Sequence, residues 1–128
     1  MEKFLTVRVG IRGVTTINTP KEEITSILFG GTVEGECFNG TILDGGVDVI
    51  HKYTDGSFDQ FARYAVKGID EEGTECLLYI ENRAVSGEEF CKPVLRTDSK
   101  SLDFINETEF SGKVFALEKE LYIEIYRL

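Results

Sequence analysis

Histidine occurs once, tryptophan never and proline twice in 128 residues. The lone His51 excludes a multi-histidine metal centre or a facial triad, and it leaves no second imidazole for a duplicated acid–base pair. No nucleophile signature such as G-x-S-x-G lies near it, so Ser-His-Asp and Cys-His catalysis are not expected. Runs of basic residues are missing too. Fourteen Lys and Arg stand against 23 Asp and Glu, for a net charge of −9, and they are scattered singly from Lys3 to Arg127. A nucleic acid or an anionic membrane surface would have to be held against that overall repulsion, so neither is expected as a partner.

No apolar run approaches a membrane span, and the opening twenty residues alternate instead of forming a signal h-region. The expected location is therefore the cytoplasm. Cys37, Cys76 and Cys91 are odd in number, widely spaced and without a Cys-x-x-Cys, as suits reduced thiols packed as small core residues. Neither a metal nor a cofactor is implied.

What the chain does contain is alternation. Leu5, Val7, Val9 and Ile11 share one face of the opening segment; Leu121, Ile123 and Ile125 share one face of the closing segment. The chain's 13 glycines and turn signals at Gly45-Gly46, Asp55-Gly56, Glu72-Gly73, Ser86-Gly87 and Ser111-Gly112 punctuate an antiparallel meander. With 41% apolar residues, including nine Phe and five Tyr, there is material for one core, and residues 1–128 read as a single domain. Terminal strands with clean apolar faces leave open edges unless they are paired, so the expected architecture is an all-β meander closing into a small β-barrel. One short helix is expected near residues 98–106, with Asp98 as its N-cap. Residues 33–43 read as one continuous strand with Gly40 inside it. The segment from Gly30 to Gly35 lacks the Gly-Lys-Ser/Thr of a P-loop and reads as a turn or barrel corner.

Register sharpens the picture. If Asp55-Gly56 is a two-residue turn, Lys52 faces Asp59 and Asp48 faces Arg63 on one side of the hairpin. A three-residue loop with a bulge at Gly73 would pair Tyr64 with Ile80, Ala62 with Asn82 and Arg63 with Glu81. Asp48, Arg63 and Glu81 would then form an ionic row across three strands. In an enclosed lumen, removing Asp48 from that row is expected to cost roughly 2 to 4 kcal/mol, and on a solvent-facing side screening reduces the pair to about 0 to 1 kcal/mol.

The glycines from Gly30 to Gly35, then Gly45-Gly46-Val47-Asp48, Asp55-Gly56, Ala62-Arg63-Tyr64, Asn82-Arg83 and the closing Tyr126-Arg127-Leu128 resemble the domain-of-unknown-function family 3237 over nearly the whole chain. The resemblance implies a single-domain antiparallel β-barrel and attaches no activity. Val49 stands where the family tends to carry Trp, and Ala84 where Gly is common.

Strand positions hold side chains rigidly, which suits them to orient a small ligand in a barrel mouth. The candidate contacts are Asp48, Arg63, Tyr64, Asn82 and Thr97, with an internal structural hydrogen bond as the plain alternative for Tyr64 and Asn82. The expected function is binding of a small polar or anionic organic molecule, with cofactor-free isomerase or cyclase chemistry as its catalytic extension. The competing expectation is a homo-oligomerising scaffold without catalysis, a homodimer or larger, built on strand edges and aromatic patches.

Overall fold

Alternation becomes nine antiparallel strands in the computed structural model, which describes residues 2–118 and 120–128. These are β1 (Glu2–Asn18), β2 (Glu22–Glu34), β3 (Phe38–Ile42), β4 (Gly46–Tyr53), β5 (Phe58–Asp70), β6 (Glu75–Val85), β7 (Lys92–Thr97), β8 (Phe110–Leu117) and β9 (Glu120–Arg127). They form one sheet in the order β7-β6-β5-β3-β2-β1-β9-β8, with β4 pairing β2 and β5. The terminal strands meet as expected, Leu5 opposite Ile125 and Val7 opposite Ile123. A single bridge closes β7 onto β8. The Cys91 amide donates to the Gly112 carbonyl at 2.9 Å, and the Gly112 amide donates back at 3.0 Å. The result is a closed antiparallel barrel whose interior is filled by Leu5, Val7, Val33, Phe38, Val66, Leu78, Ile80, Leu95 and Ile125. No helix among the described residues is long and apolar enough to cross a membrane.

β3 and β4 occupy one lane between β2 and β5. β2 pairs with β4 through Phe29 and with β3 from Thr32 onward; β5 changes partner between Arg63 and Val66. The hand-over on β2 falls at Gly30-Gly31. Gly31 has φ 132°, and a Cβ there would overlap the carbonyl oxygen of Arg8. A side chain is excluded on both counts, so the glycine pair is a barrel corner. The expected continuous strand over residues 33–43 is instead two strands joined by a turn at residues 35–37, with Val33 opposite Gly40. Gly40 does lie inside a strand, pressed against Gly68 of β5.

The helix expected over residues 98–106 is reduced to one 3-10 turn, Asp103–Glu107. Its preceding residues are committed elsewhere. The Asp98 carboxylate accepts from the Leu77 amide at 2.8 Å, and the Ser99 hydroxyl donates to Asp70 at 2.8 Å. Leu102 and Ile105, both fully buried, plug this end of the barrel.

Of the two hairpin registers, one holds. Gly73 (φ 78°) bulges in a three-residue loop, and Tyr64 faces Ile80, Ala62 faces Asn82 and Arg63 faces Glu81. The β4–β5 hairpin differs from expectation because its loop also has three residues, Thr54, Asp55 and Gly56. The Gly56 amide donates to Tyr53 at 3.0 Å, Tyr53 donates to Ser57 at 2.9 Å, and Gly56 takes φ 91°. Asp55 locks this loop by accepting from the Ser57 amide at 2.8 Å. The slip places Asp48 opposite Ala62 and Arg63 opposite Val47, while Lys52 faces Phe58. One residue of slip exchanges the faces, so Asp48 and Arg63 lie on opposite sides of the sheet and the three-strand ionic row does not form.

Candidate functional site

The corrected register assembles a different cluster. Across the sheet, Asp48 of β4, Ala62 of β5 and Asn82 of β6 stand directly opposite one another and share the inward face. Along β5, Gln60 and Tyr64 flank Ala62 on that same face. The short Ala62 methyl forms a floor, and the four polar side chains stand around it. Above the floor lies a cavity lined by Asp48, Gln60 and Asn82 together with apolar Phe29, Ile27, Val9, Ile11, Val114 and Leu121. Its free volume is about 50 Å³.

The hydrogen bonding within the cluster is incomplete. Gln60 Nε2 donates to Asp48 Oδ2 at 2.6 Å. Asp48 Oδ1, Asn82 Oδ1 and the Tyr64 hydroxyl are buried and have no hydrogen-bond partner among the described residues. Buried polar groups are normally satisfied, because an unmade bond costs about 1–3 kcal/mol. Three orphans around one alanine therefore stand out.

Electrostatics follow from burial. Desolvation raises the Asp48 carboxyl above the usual carboxylate range, and the Gln60 hydrogen bond opposes it. Desolvation also pushes the Tyr64 phenol far above its ordinary value, with Cys91 and Asp48 adding to the shift, so Tyr64 stays a protonated donor. Its ring packs edge-on against Phe29, centroids 5.2 Å apart. Such a set offers a carboxylate base, a phenolic donor and two acceptor oxygens in an apolar surround. Among the described residues no group of three His, Cys, Asp or Glu could hold a metal ion.

Of the five residues singled out from sequence, the structure brings Asp48, Tyr64 and Asn82 together and leaves two outside. Arg63 is exposed on the outer face. Thr97 lies at the plugged end, where its hydroxyl donates to the Leu77 carbonyl at 2.7 Å and its amide donates to Asn106 Oδ1 at 2.8 Å. Gln60 and Ala62 were missed. Only the right register shows them, since neither residue type advertises a site alone.

No functionally curated protein matches the sequence. Solved structures share the fold at low identity, three of them as follows. A protein with unknown function from Clostridium acetobutylicum has a TM-score of 0.82 at 22% identity, covering 98% of this chain and 94% of that one. A beta-barrel like protein from Acinetobacter baumannii has a TM-score of 0.80 at 20% identity, with 98% and 93% covered. An enzyme from Penicillium herquei has a TM-score of 0.76 at 16% identity, with 98% and 92% covered. The model of the family described as "protein of unknown function (DUF3237)" matches residues 1–89, well over half of the sequence, and the chain belongs to that family.

Proposed function

We propose that the barrel binds a small organic molecule with an apolar body at its mouth, and that Asp48 accepts a hydrogen bond or a proton from it. One observation carries this reading: three partnerless buried oxygens stand around the Ala62 floor beneath an apolar-lined cavity. Pockets of this kind use a few convergent polar groups for orientation and apolar walls for affinity. The anionic ligand expected from sequence loses its support, because Arg63 points outward and no Lys or Arg among the described residues lines the cavity. A raised carboxyl and a protonated phenol suit cofactor-free proton transfer of the isomerase or cyclase type, with Asp48 as base and Tyr64 donating to a developing oxyanion. The Penicillium neighbour, an enzyme, supports a catalytic use of this scaffold. Three free cysteines agree with a reducing, cytoplasmic setting.

A thermal-shift screen of small organic fragments against the protein, Arg63→Ala and Ala62→Leu tests the reading. Fragments should stabilise the first two and not the third, whose larger side chain fills the floor. Should Ala62→Leu fail to fold, Ala84→Leu in the cavity wall serves instead. Stabilisation that survives filling of the cavity would place binding elsewhere.

A second reading, self-association, is favoured by the far half of β1. Among the described residues β9 covers β1 only as far as Val9, and over residues 10–18 β1 pairs with β2. Ile11, Val14, Ile17 and the neighbouring Leu28 are each more than half exposed. No acidic residue occurs between Glu2 and Glu22, which makes this edge the place where two copies of an acidic chain repel least. Light scattering at about 100 μM should then give a dimer or larger, and a strict monomer would refute it.

A further inference from the structure

Resting on the pocket reading above, we propose that the molecule held there carries a primary ammonium, with its three N–H bonds directed to Asp48 Oδ1, Asn82 Oδ1 and the Tyr64 hydroxyl oxygen. The inventory of the cluster leads to this class. Gln60 already uses Asp48 Oδ2, so the buried atoms of the cluster left without a partner among the described residues are three oxygens, of which only the Tyr64 hydroxyl can also donate. A carboxylate ligand brings no donor and a like charge. A hydroxyl brings one donor. A primary ammonium brings three, plus the positive charge that a buried carboxylate lacks.

Among the described residues no Lys or Arg lines the cavity. Arg63 is exposed on the outer face, Arg12 is held by Asp44 at 2.7 Å, and Arg83 lies over the Phe61 ring, 3.7 Å from Asp59. Size agrees as well. A free volume of about 50 Å³ accepts a compact head group and little more. The rest of the molecule would lie in the mouth, against Val9, Ile11, Val114 and Leu121. A guanidinium is too wide for such a space, and a trimethylammonium has the charge without the N–H bonds.

A matched set of hexyl compounds separates these demands. Hexylamine, hexanol, hexanoate and hexyltrimethylammonium are titrated by thermal shift and calorimetry against the protein, Asp48→Asn and Asn82→Leu, each variant checked by far-UV circular dichroism. The expected result is hexylamine binding, with the other three weaker by about tenfold or more. Asp48→Asn should erase the preference of amine over alcohol, and Asn82→Leu should weaken the amine while keeping its preference over hexanoate. Hexanol or hexanoate binding as well as the amine would overturn the ammonium while leaving the pocket standing. Equal binding of hexyltrimethylammonium, or amine binding untouched in both variants, would reveal mere attraction to an acidic surface and overturn it as well. If none of the four binds while other fragments do, the ammonium alone fails; if no fragment of any class binds, the pocket reading fails with it.

Discussion

Replacing Asp48 by Asn should make this protein more stable at neutral pH. The carboxylate is held inside the barrel with one oxygen bonded to Gln60 and the other unpartnered. Its pKa is raised by burial, so the folded chain holds the proton more tightly than the unfolded chain. The sign follows from linkage. Below the ordinary carboxylate pKa both states are protonated and nothing is lost; between that value and the raised folded one, stability falls as pH rises; above it the deficit is constant. The amide of Asn keeps an acceptor for Gln60, carries no charge, and can offer its N–H to the free oxygens of Asn82 or Tyr64. Removing an unsatisfied buried polar group relieves about 1–3 kcal/mol, and a charged one lies toward the upper end. Urea denaturation from pH 3 to pH 8 measures it. We expect Asp48→Asn to exceed the wild type by about 1–3 kcal/mol at pH 7, with the gap closing toward pH 3. A variant less stable at pH 7, or a gap independent of pH, would refute the reasoning. Stability surrendered at one polar position is a frequent mark of a working site.

Tyr64→Phe should raise stability by about 1–3 kcal/mol, because it removes a buried hydroxyl without a hydrogen-bond partner among the described residues, whereas Tyr64→Ala should cost about 3–5 kcal/mol in the same assay. Asp70 behaves oppositely to Asp48. Hydrogen bonds from Ser99 and from the Thr74 and Glu72 amides hold its carboxyl below the usual range, so its contribution is present above the ordinary pKa and lost as pH falls through the depressed one. Asp70→Asn should therefore flatten the acid limb of a melting-temperature profile. Gly68→Ala should cost at least about 2 kcal/mol, since a Cβ there would overlap the Asn39 carbonyl and the Gly40 Cα; an unchanged urea midpoint would contradict the close approach of β3 and β5.

The barrel was legible because both terminal strands alternate cleanly and each has an edge that the other covers. The β5–β6 register was legible because Gly73 announces its own bulge. The β4–β5 register was not, although its loop has the same build, since Asp55-Gly56 reads equally as a two-residue turn until the Asp55 bond to Ser57 is seen. A single residue of loop length then decided which side of the sheet Asp48 occupies. That is why three of the five candidate residues gather at Ala62 while Arg63 points away. Thr97 stands apart from that cluster, and the expected short helix is a single 3-10 turn, for another reason. Asp98 and Ser99 spend their polar groups on β6 and Asp70, and a local helical pattern cannot foresee so distant a partner.

The pairing of β1 with β9 also sets an order of events during synthesis. Val7 must wait for Ile123, the farthest kind of contact this chain makes, before one of its edges is covered. Until then a nascent β1 can use only β2, and its Ile- and Val-rich outer edge is open to any other chain along its entire length rather than over residues 10–18 alone. Structures dominated by such distant pairings fold slowly, and their unfinished forms are prone to aggregate. The acid-free stretch that eases contact between finished copies is then a hazard for unfinished ones, and slow closure by β9 is the step at which a chaperone would have most to do.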